Sequence, residues 1–166
     1  MQRKEPILVS ACLLGVACRY DGDSRPNDAV WALAERYRLI PVCPESMGGL
    51  PIPREPSEIV GDRVLSRTGK DVTAEYRRGA EFALALTQKY GCRAALLKER
   101  SPSCGTGKIY NGNFDGGLTD GYGVTAALLR ENGIAVFGES EIEKLNAFCR
   151  KSILRLRNQT TKGGYT

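Results

Sequence analysis

Residues 98–105 read Lys-Glu-Arg-Ser-Pro-Ser-Cys-Gly, and they directly follow the apolar run Ala-Ala-Leu-Leu at residues 94–97. The apolar run is typical of a buried strand, and Pro102 and Gly105 prevent that strand from simply continuing. We therefore predict a strand at residues 93–98 that ends in a tight loop carrying two hydroxyls and a thiol. Such a loop packs a hydrophobic core poorly, but it is well suited to holding a ligand.

The same pattern, a strand that runs into a cysteine, occurs twice earlier in the chain. One strand is predicted at residues 6–11, directly before Cys12, and another at residues 39–43, which ends at Cys43. A helix with an apolar face and an Asn or Asp cap is predicted between them, to about residue 37. Strand, helix and strand within about 40 residues are typical of a right-handed βαβ unit with parallel strands.

The remaining chain predicts an α/β sheet with one interruption. Residues 47–56 are too rich in Pro and Gly for a regular element, and residues 59–65 are typical of a small hairpin that turns at Gly-Asp. The further predicted elements are a helix from residue 71 or 73 to about 90, a loop at 105–121, a helix at 124–131, a strand at 134–137 and a helix from 139 to about 156. We predict a single α/β catalytic domain at residues 1–156, with a mostly parallel sheet of about four strands flanked by helices, and a disordered basic tail at 157–166.

The composition of the 166 residues is ordinary for a globular protein, with 42% hydrophobic residues. The sequence has no apolar run near the roughly 20 residues of a membrane helix and no signal peptide at its start, so we expect a cytoplasmic protein with no membrane partner. The net charge of +5 equals the five basic residues after position 149, where no acidic residue occurs. Such a run is typical of a solvated tail, so we expect no nucleic-acid partner. The composition leaves the oligomeric state open.

The chain combines six cysteines with no histidine. Disulfides are rare in a reducing cytosol, so clustered thiols favour a metal site or catalysis. The lack of histidine excludes a Cys-His nucleophile pair, a His-containing zinc site and a histidine general base. Acid–base chemistry must therefore come from carboxylates, lysine, tyrosine, hydroxyls or water.

Three of the cysteines, Cys12, Cys43 and Cys104, fall at or just past the ends of predicted parallel strands. Ligands of open parallel α/β sheets bind outside the carboxyl ends of the strands, so we expect these thiols to lie together. The alternative is three unrelated buried cysteines, since free cysteine is among the most buried residue types. Cys18 is a candidate fourth ligand, whereas three thiolate ligands would leave one metal position open as a Lewis acid.

Other polar residues near the strand ends are candidates for catalysis. Glu45 follows the second of these cysteines across a proline and is either a general base at the site or an ordinary surface glutamate. The hydroxyls of Ser101 and Ser103 either contact a ligand or stabilise the turn. Cys92 and Cys149 are predicted to pack in the core.

A series of sequence blocks resembles the bacterial thiouracil desulfurase family, and it contains the three strand-end cysteines together with Glu45, Ser101 and Ser103. In chain order the blocks are residues 9–15, 19–22, 43–45, 48–54, 69–73, 79–80 and 98–105, which read VSACLLG, RYDG, CPE, GGLPIPR, GKDVT, GA and KERSPSCG. The likeness covers residues 6–150, and the succession of blocks in order makes it specific.

The resemblance implies an enzyme with a [4Fe–4S] cluster on three cysteines and one iron left free for the substrate sulfur. The residues at the matching positions are, as cluster ligands, Cys12, Cys43 and Cys104 and, as catalytic residues, Glu45 and Ser101. Ser103, on the same loop, is predicted to contact the substrate. The resemblance implies no ligand role for Cys18.

The combined prediction is an iron–sulfur-dependent desulfurase that acts on a thiolated nucleobase such as 2-thiouracil. With the thiocarbonyl sulfur bound by the unique iron, Glu45 activates a water for attack on the carbon, Ser101 orients the substrate or relays a proton, and sulfur leaves as hydrosulfide. This C–S cleavage is not a redox step, so we expect no flavin or nicotinamide cofactor. Two alternatives stay open: a metal-free persulfide carrier with Cys104 as nucleophile, and a non-catalytic module that binds small ligands.

Overall fold

The computed structural model describes residues 3–160. Within that range the strands are Glu5–Ser10 (β1), Tyr37–Val42 (β2), Ser57–Val60 (β3), Arg63–Ser66 (β4), Ala94–Leu97 (β5), Lys108–Tyr110 (β6), Leu118–Asp120 (β7) and Ala135–Gly138 (β8). The α-helices are Asp28–Ala32 (α1), Pro44–Met47 (α2), Thr73–Tyr90 (α3), Val124–Glu131 (α4) and Ile142–Thr160 (α5), and 3₁₀ turns lie at Ala11–Leu14 and Leu33–Glu35. Among these helices, none is both long and apolar enough to cross a membrane.

Four parallel strands form the central sheet, in the order β2-β1-β5-β8. β1 pairs with β2 along its whole length, from Glu5 opposite Tyr37 to Ser10 opposite Val42. β5 is buried at every residue, because a strand in the middle of a parallel sheet with helices on both sides has no solvent face. The predicted single α/β sheet of parallel strands flanked by helices is confirmed.

Helices cover both faces of the sheet, and successive residues of β1 point to opposite faces. Ile7 and Val9 pack in the apolar cluster that includes residues of α1 and α5, whereas Leu8 packs in the cluster with residues of α3 and α4. All three side chains are completely buried. Cys149 and Cys92 lie in these two clusters, respectively, as predicted.

Several predicted boundaries differ from the structure: the short helix α2 was not predicted, and α5 begins at Ile142 instead of residue 139. α1 ends early and continues as a 3₁₀ turn, so β2 begins at Tyr37 instead of residue 39. The predicted loop at 105–121 contains a short antiparallel hairpin, β6 and β7, whose strands are too short to show a sequence period. α5 continues to Thr160, past the predicted end at residue 156, and the remaining predicted tail at 161–166 lies outside the described residues.

The predicted small hairpin is present as β3 and β4, which pair antiparallel and turn at Gly61 and Asp62. Its Val64 packs with Tyr76 of α3 in a third apolar cluster. The hairpin also contributes residues to the cavity described below, and long insertions in compact domains are often binding loops.

Candidate active site

The carboxyl ends of β1, β2 and β5 open onto one cavity of about 650 Å³. Cys12 lies in the 3₁₀ turn after β1, Cys43 directly follows β2, and Cys104 lies in the loop after β5. All three line this cavity. The structure thus brings together thiols that are far apart in sequence, because the strands that precede them are neighbours in the sheet and run in the same direction.

Cys18 adds a fourth thiol to the same cavity. It is buried, and its thiol lies near the thiols of Cys12 and Cys43. Cys43 Sγ also lies 3.6 Å from the Cys18 carbonyl oxygen and 3.3 Å from Ser46 Oγ. The contact with Cys12 raises the pKa of Cys18 to about 11, and the contact with Cys18, followed by burial, raises the pKa of Cys43.

The loop after β5 holds Cys104 through hydrogen bonds to its backbone. Ser101 Oγ accepts from the backbone N–H groups of Ser103 and Cys104, at 3.0 and 3.1 Å. The first turn of α4 binds the loop from the other side, since the Val124 N–H donates to the Pro102 carbonyl at 2.9 Å. Burial raises the pKa of Cys104 to about 12, so this thiol stays protonated at neutral pH unless a metal replaces the proton.

The donors around the cavity are suited to a group larger than one metal ion. Among residues 3–160, no three Cys, Asp or Glu side chains lie close enough together to hold a single ion, and the chain has no histidine. Thiolates without histidine are typical ligands of iron–sulfur clusters, in which separate irons each take one cysteine. All six cysteines are free thiols, so those at the cavity are available as ligands.

Glu45 lies in the first turn of α2, which begins directly after Cys43. The Arg54 guanidinium binds Glu45 Oε2 through Nε at 2.8 Å and through Nη2 at 2.6 Å. The Glu45 side chain is 15% exposed and that of Arg54 only 6%. Arg54 Nη2 also donates to the Cys18 carbonyl at 2.9 Å. Arg54 therefore holds the carboxylate beside the thiols.

Two glycines bring α2 close to α3 and thereby position Glu45. A Cβ at Gly79 would overlap the Pro44 carbonyl, and a Cβ at Gly48 would overlap the Glu75 carbonyl. Any other residue at either position would push α2 away from α3. This close approach gives a physical reason for both glycines in the sequence blocks.

The two hydroxyls of the loop after β5 differ in their surroundings. Ser101 lines the cavity. Its oxygen accepts two amide N–H groups, and among the described residues its O–H has no acceptor, so this O–H can donate to a ligand. Ser103 is 1% exposed, its Oγ lies 2.9 Å from Thr125 Oγ1, and it is absent from the described residues that line the cavity. The cavity geometry supports a contact between Ser101 and a substrate. The contact between Ser103 and the substrate stays a prediction.

Sequence reasoning missed two ion pairs at the cavity. Arg54 lies in the sequence block at residues 48–54, but no role was predicted for it, because the neighbouring sequence does not show which carboxylate it contacts. Lys98 Nζ lies 2.5 Å from Glu139 Oε1, and Glu139 Oε2 accepts a hydrogen bond from the Glu99 N–H. Glu139 directly follows β8, so the strand-end rule that selected the cysteines could have found it.

Comparisons with known proteins agree with this geometry. A sequence model of the 2-thiouracil desulfurase family matches residues 7–141. The uncharacterized protein YbbK of Bacillus subtilis (strain 168) is 41% identical over 149 residues, which cover 84% of this chain and 99% of YbbK. The solved structure of the [4Fe-4S]-dependent thiouracil desulfidase TudS is similar with a TM-score of 0.84 and 51% identity, covering 89% of this chain and 99% of that chain.

The family match spans all four cavity thiols as well as Glu45 and Ser101. The similarity to TudS extends over nearly the whole fold, including the central sheet on which the cavity is built. The resemblance inferred from the sequence blocks is therefore confirmed, and the chain belongs to the 2-thiouracil desulfurase family as a desulfurase enzyme.

Proposed function

We propose that this enzyme removes the thiocarbonyl sulfur of a thiolated nucleobase such as 2-thiouracil, using a [4Fe–4S] cluster held by Cys12, Cys43 and Cys104. The observation that carries the proposal is that these three thiols line one cavity together with Glu45 and Ser101. The similar TudS structure is that of a [4Fe-4S]-dependent thiouracil desulfidase, which supports both the cofactor and the reaction.

The three proposed ligands follow three different strands, so each belongs to a separate segment of the cavity wall. Cys18, by contrast, comes from the same segment as Cys12 and lies against it. We therefore assign Cys18 as a neighbouring thiol and not as a ligand. When bound, a cluster on three cysteines supplies one iron without a protein thiolate, a Lewis acid suited to the thiocarbonyl sulfur.

Glu45 is the proposed general base. Both hydrogen bonds from Arg54 go to Oε2, which leaves Oε1 to accept a proton from a water molecule. A water that loses its proton in this way is a stronger nucleophile toward the thiocarbonyl carbon. Acid–base catalysis by a positioned carboxylate contributes about 10²–10⁴-fold to the rate.

Ser101 is the proposed substrate-orienting residue. Its O–H is free to donate into the cavity to a ring oxygen or nitrogen, since two amide N–H groups already occupy its oxygen. In the overall reaction a C=S bond and water become a C=O bond and hydrosulfide with a proton. No electrons are transferred, so the balance requires no flavin or nicotinamide.

Anaerobic purification with iron, sulfide and activity assays tests the proposal. We expect brown protein with about four irons per chain that releases hydrosulfide and uracil from 2-thiouracil. A colourless, iron-free protein that carries a persulfide on Cys104 would favour the sulfur-carrier alternative. Binding of 2-thiouracil without release of sulfide would favour the non-catalytic binding module.

We also propose that the enzyme acts in the cytoplasm on a small molecule, not on nucleic acid, through a catalytic domain at residues 1–156. All six cysteines are free thiols, which is usual for proteins of reducing compartments. The excess positive charge lies after position 149, outside the cavity lining. Cell fractionation that places the enzyme in the membrane or periplasmic fraction would contradict this assignment.

A further inference from the structure

The cavity contains an aromatic side chain that the proposed mechanism does not use. Phe114 lies in the loop between β6 and β7 and lines the cavity while remaining only partly buried. In the part of the chain that the structure describes, Phe114 packs in none of the three apolar clusters. An aromatic ring that is kept out of the core and placed at a binding cavity is available to a ligand.

The backbone at Phe114 adopts a conformation that a bulky residue rarely takes. Its φ is 55°, in the left-handed region that favours glycine and disfavours side chains with bulk near Cβ. Such conformations persist where the surrounding structure enforces them, and they concentrate at ligand-binding sites.

Glu58 enforces this conformation from the neighbouring hairpin. Its buried carboxylate accepts hydrogen bonds through Oε2 from the N–H groups of Gly112, at 2.8 Å, and Phe114, at 3.1 Å. Gly112 brings the loop against β3, since a Cβ there would lie 2.7 Å from the Ile59 carbonyl oxygen. The loop is thus fixed to β3 on both sides of residue 113.

Hydrogen bonds within the loop close it on itself. Asp115 Oδ1 accepts from Asn111 Nδ2 at 3.0 Å and from the Gly117 N–H at 2.8 Å. The Asn111 N–H donates to the Gly117 carbonyl at 3.0 Å. Phe114 is therefore presented by a loop that is ordered before any ligand binds, which lowers the entropy cost of binding.

We propose that Phe114 determines specificity by stacking its ring on the planar thiolated base, and that Glu58 is the positioning residue that holds Phe114 in place. This inference rests on the proposed function and narrows its substrate class. Stacking requires a flat aromatic face on the ligand. The site should therefore prefer unsaturated thioamide rings over saturated, puckered ones.

The test compares 2-thiouracil with 5,6-dihydro-2-thiouracil on the holoenzyme. In Phe114→Ala we expect the KM for 2-thiouracil to rise about tenfold to a hundredfold, with kcat and iron content unchanged and a much smaller change for the dihydro compound. Phe114→Tyr retains the ring and should retain the parent KM. Phe82→Ala, which removes an exposed phenyl ring of α3 that is not at the cavity, is the matched control.

A double-mutant cycle tests Glu58. If Glu58 acts through Phe114, Glu58→Ala raises the same KM, and adding Phe114→Ala to it raises the KM no further. Glu58→Gln keeps an acceptor oxygen and should restore most of the affinity. Should Glu58→Ala fail to fold, Gly112→Ala displaces the loop by another route and must also raise the KM.

Three results would overturn the inference: an unchanged KM in an active Phe114→Ala enzyme, an equal rise for the dihydro compound, or full additivity in the cycle. A parent enzyme that releases no sulfide would overturn the proposed function instead. In that case the stacking contact is tested by measuring the dissociation constant of 2-thiouracil for the parent and for Phe114→Ala. The contact requires that the variant bind 2-thiouracil at least several-fold more weakly than the parent.

Discussion

Glu45→Gln separates catalysis from binding at this site. The glutamine side chain keeps the size of glutamate and still accepts hydrogen bonds from Arg54, but it cannot take a proton from water. We expect turnover to fall by about 10²–10⁴-fold. Iron content and the affinity for 2-thiouracil should stay at the parent values, because neither depends on proton transfer to Oε1.

The same substitution has a cost in stability that follows from the Arg54 contacts. These contacts measure 2.6 and 2.8 Å, and the Arg54 side chain is only 6% exposed, so solvent screens the pair little. Replacing charge-assisted by neutral hydrogen bonds costs about 1–3 kcal/mol, and each kcal/mol lowers the Tm of a domain this size by about 2–4 °C. A domain with about 5–15 kcal/mol of stability remains folded after such a loss.

The assay is sulfide release per intact cluster, measured anaerobically for the parent and the variant. Glu99→Gln is the comparison, because Glu99 is another glutamate at the cavity, with its carboxylate bound to the Ser140 N–H at 3.0 Å. The assignment requires that Glu45→Gln lose far more turnover than Glu99→Gln. Equal rates for Glu45→Gln and the parent refute it, and loss of iron in Glu45→Gln would show a structural role instead.

The remaining predictions concern the thiols. Single Ala variants of the proposed ligands should lose the brown colour and most of the iron after anaerobic purification, whereas Ala variants of the core thiols should keep both; the ligands are Cys12, Cys43 and Cys104, and the core thiols are Cys92 and Cys149. Cys18→Ala should retain iron and activity, and loss of either would make Cys18 a fourth ligand. Burial raises the pKa of both core thiols from 9.0 to about 11. The contribution of these protonated thiols to the free energy of unfolding is therefore fully present below pH 9 and is lost as the pH rises from 9 to 11. Urea titrations of the cluster-free protein should show this loss, and an equally steep loss in the Cys92→Ala/Cys149→Ala double variant would contradict it.

Much of the architecture around the site could be predicted because its signals are local. Short apolar runs before Cys12 and Cys104 indicate buried strands, and the parallel arrangement of the strands follows from the elements between them. Parallel strands place their carboxyl ends at one edge, so the meeting of the thiols is a consequence of topology. The long helix α3, predicted from residue 71 or 73 to about 90, is also present at Thr73–Tyr90, and it ends at Gly91 in the αL conformation.

Contacts between side chains were not predictable to the same extent. The ion pair of Glu45 with Arg54 joins α2 to an irregular Pro-rich segment, whose path no propensity describes. The contact of Cys18 with Cys12 and Cys43 depends on how the loop after the first 3₁₀ turn folds back. The buried carboxylate of Glu58, which looks like an ordinary strand glutamate in the sequence, binds a loop more than fifty residues away.

The amino-acid sequence therefore contains the strands, the helices and the identity of the residues that end each strand, because periodicity, proline and glycine act over a few neighbouring positions. The orientation of those residues toward a common cavity depends on the packing of α2 on α3, of the hairpin β3–β4 on α3, and of the loop between β6 and β7 on β3. Packing of this kind is set by shape and hydrogen bonding between segments that are distant along the chain. It leaves its trace in the sequence only as isolated residues, such as Gly48, Gly79 and Gly112, where a Cβ would collide with a neighbouring carbonyl.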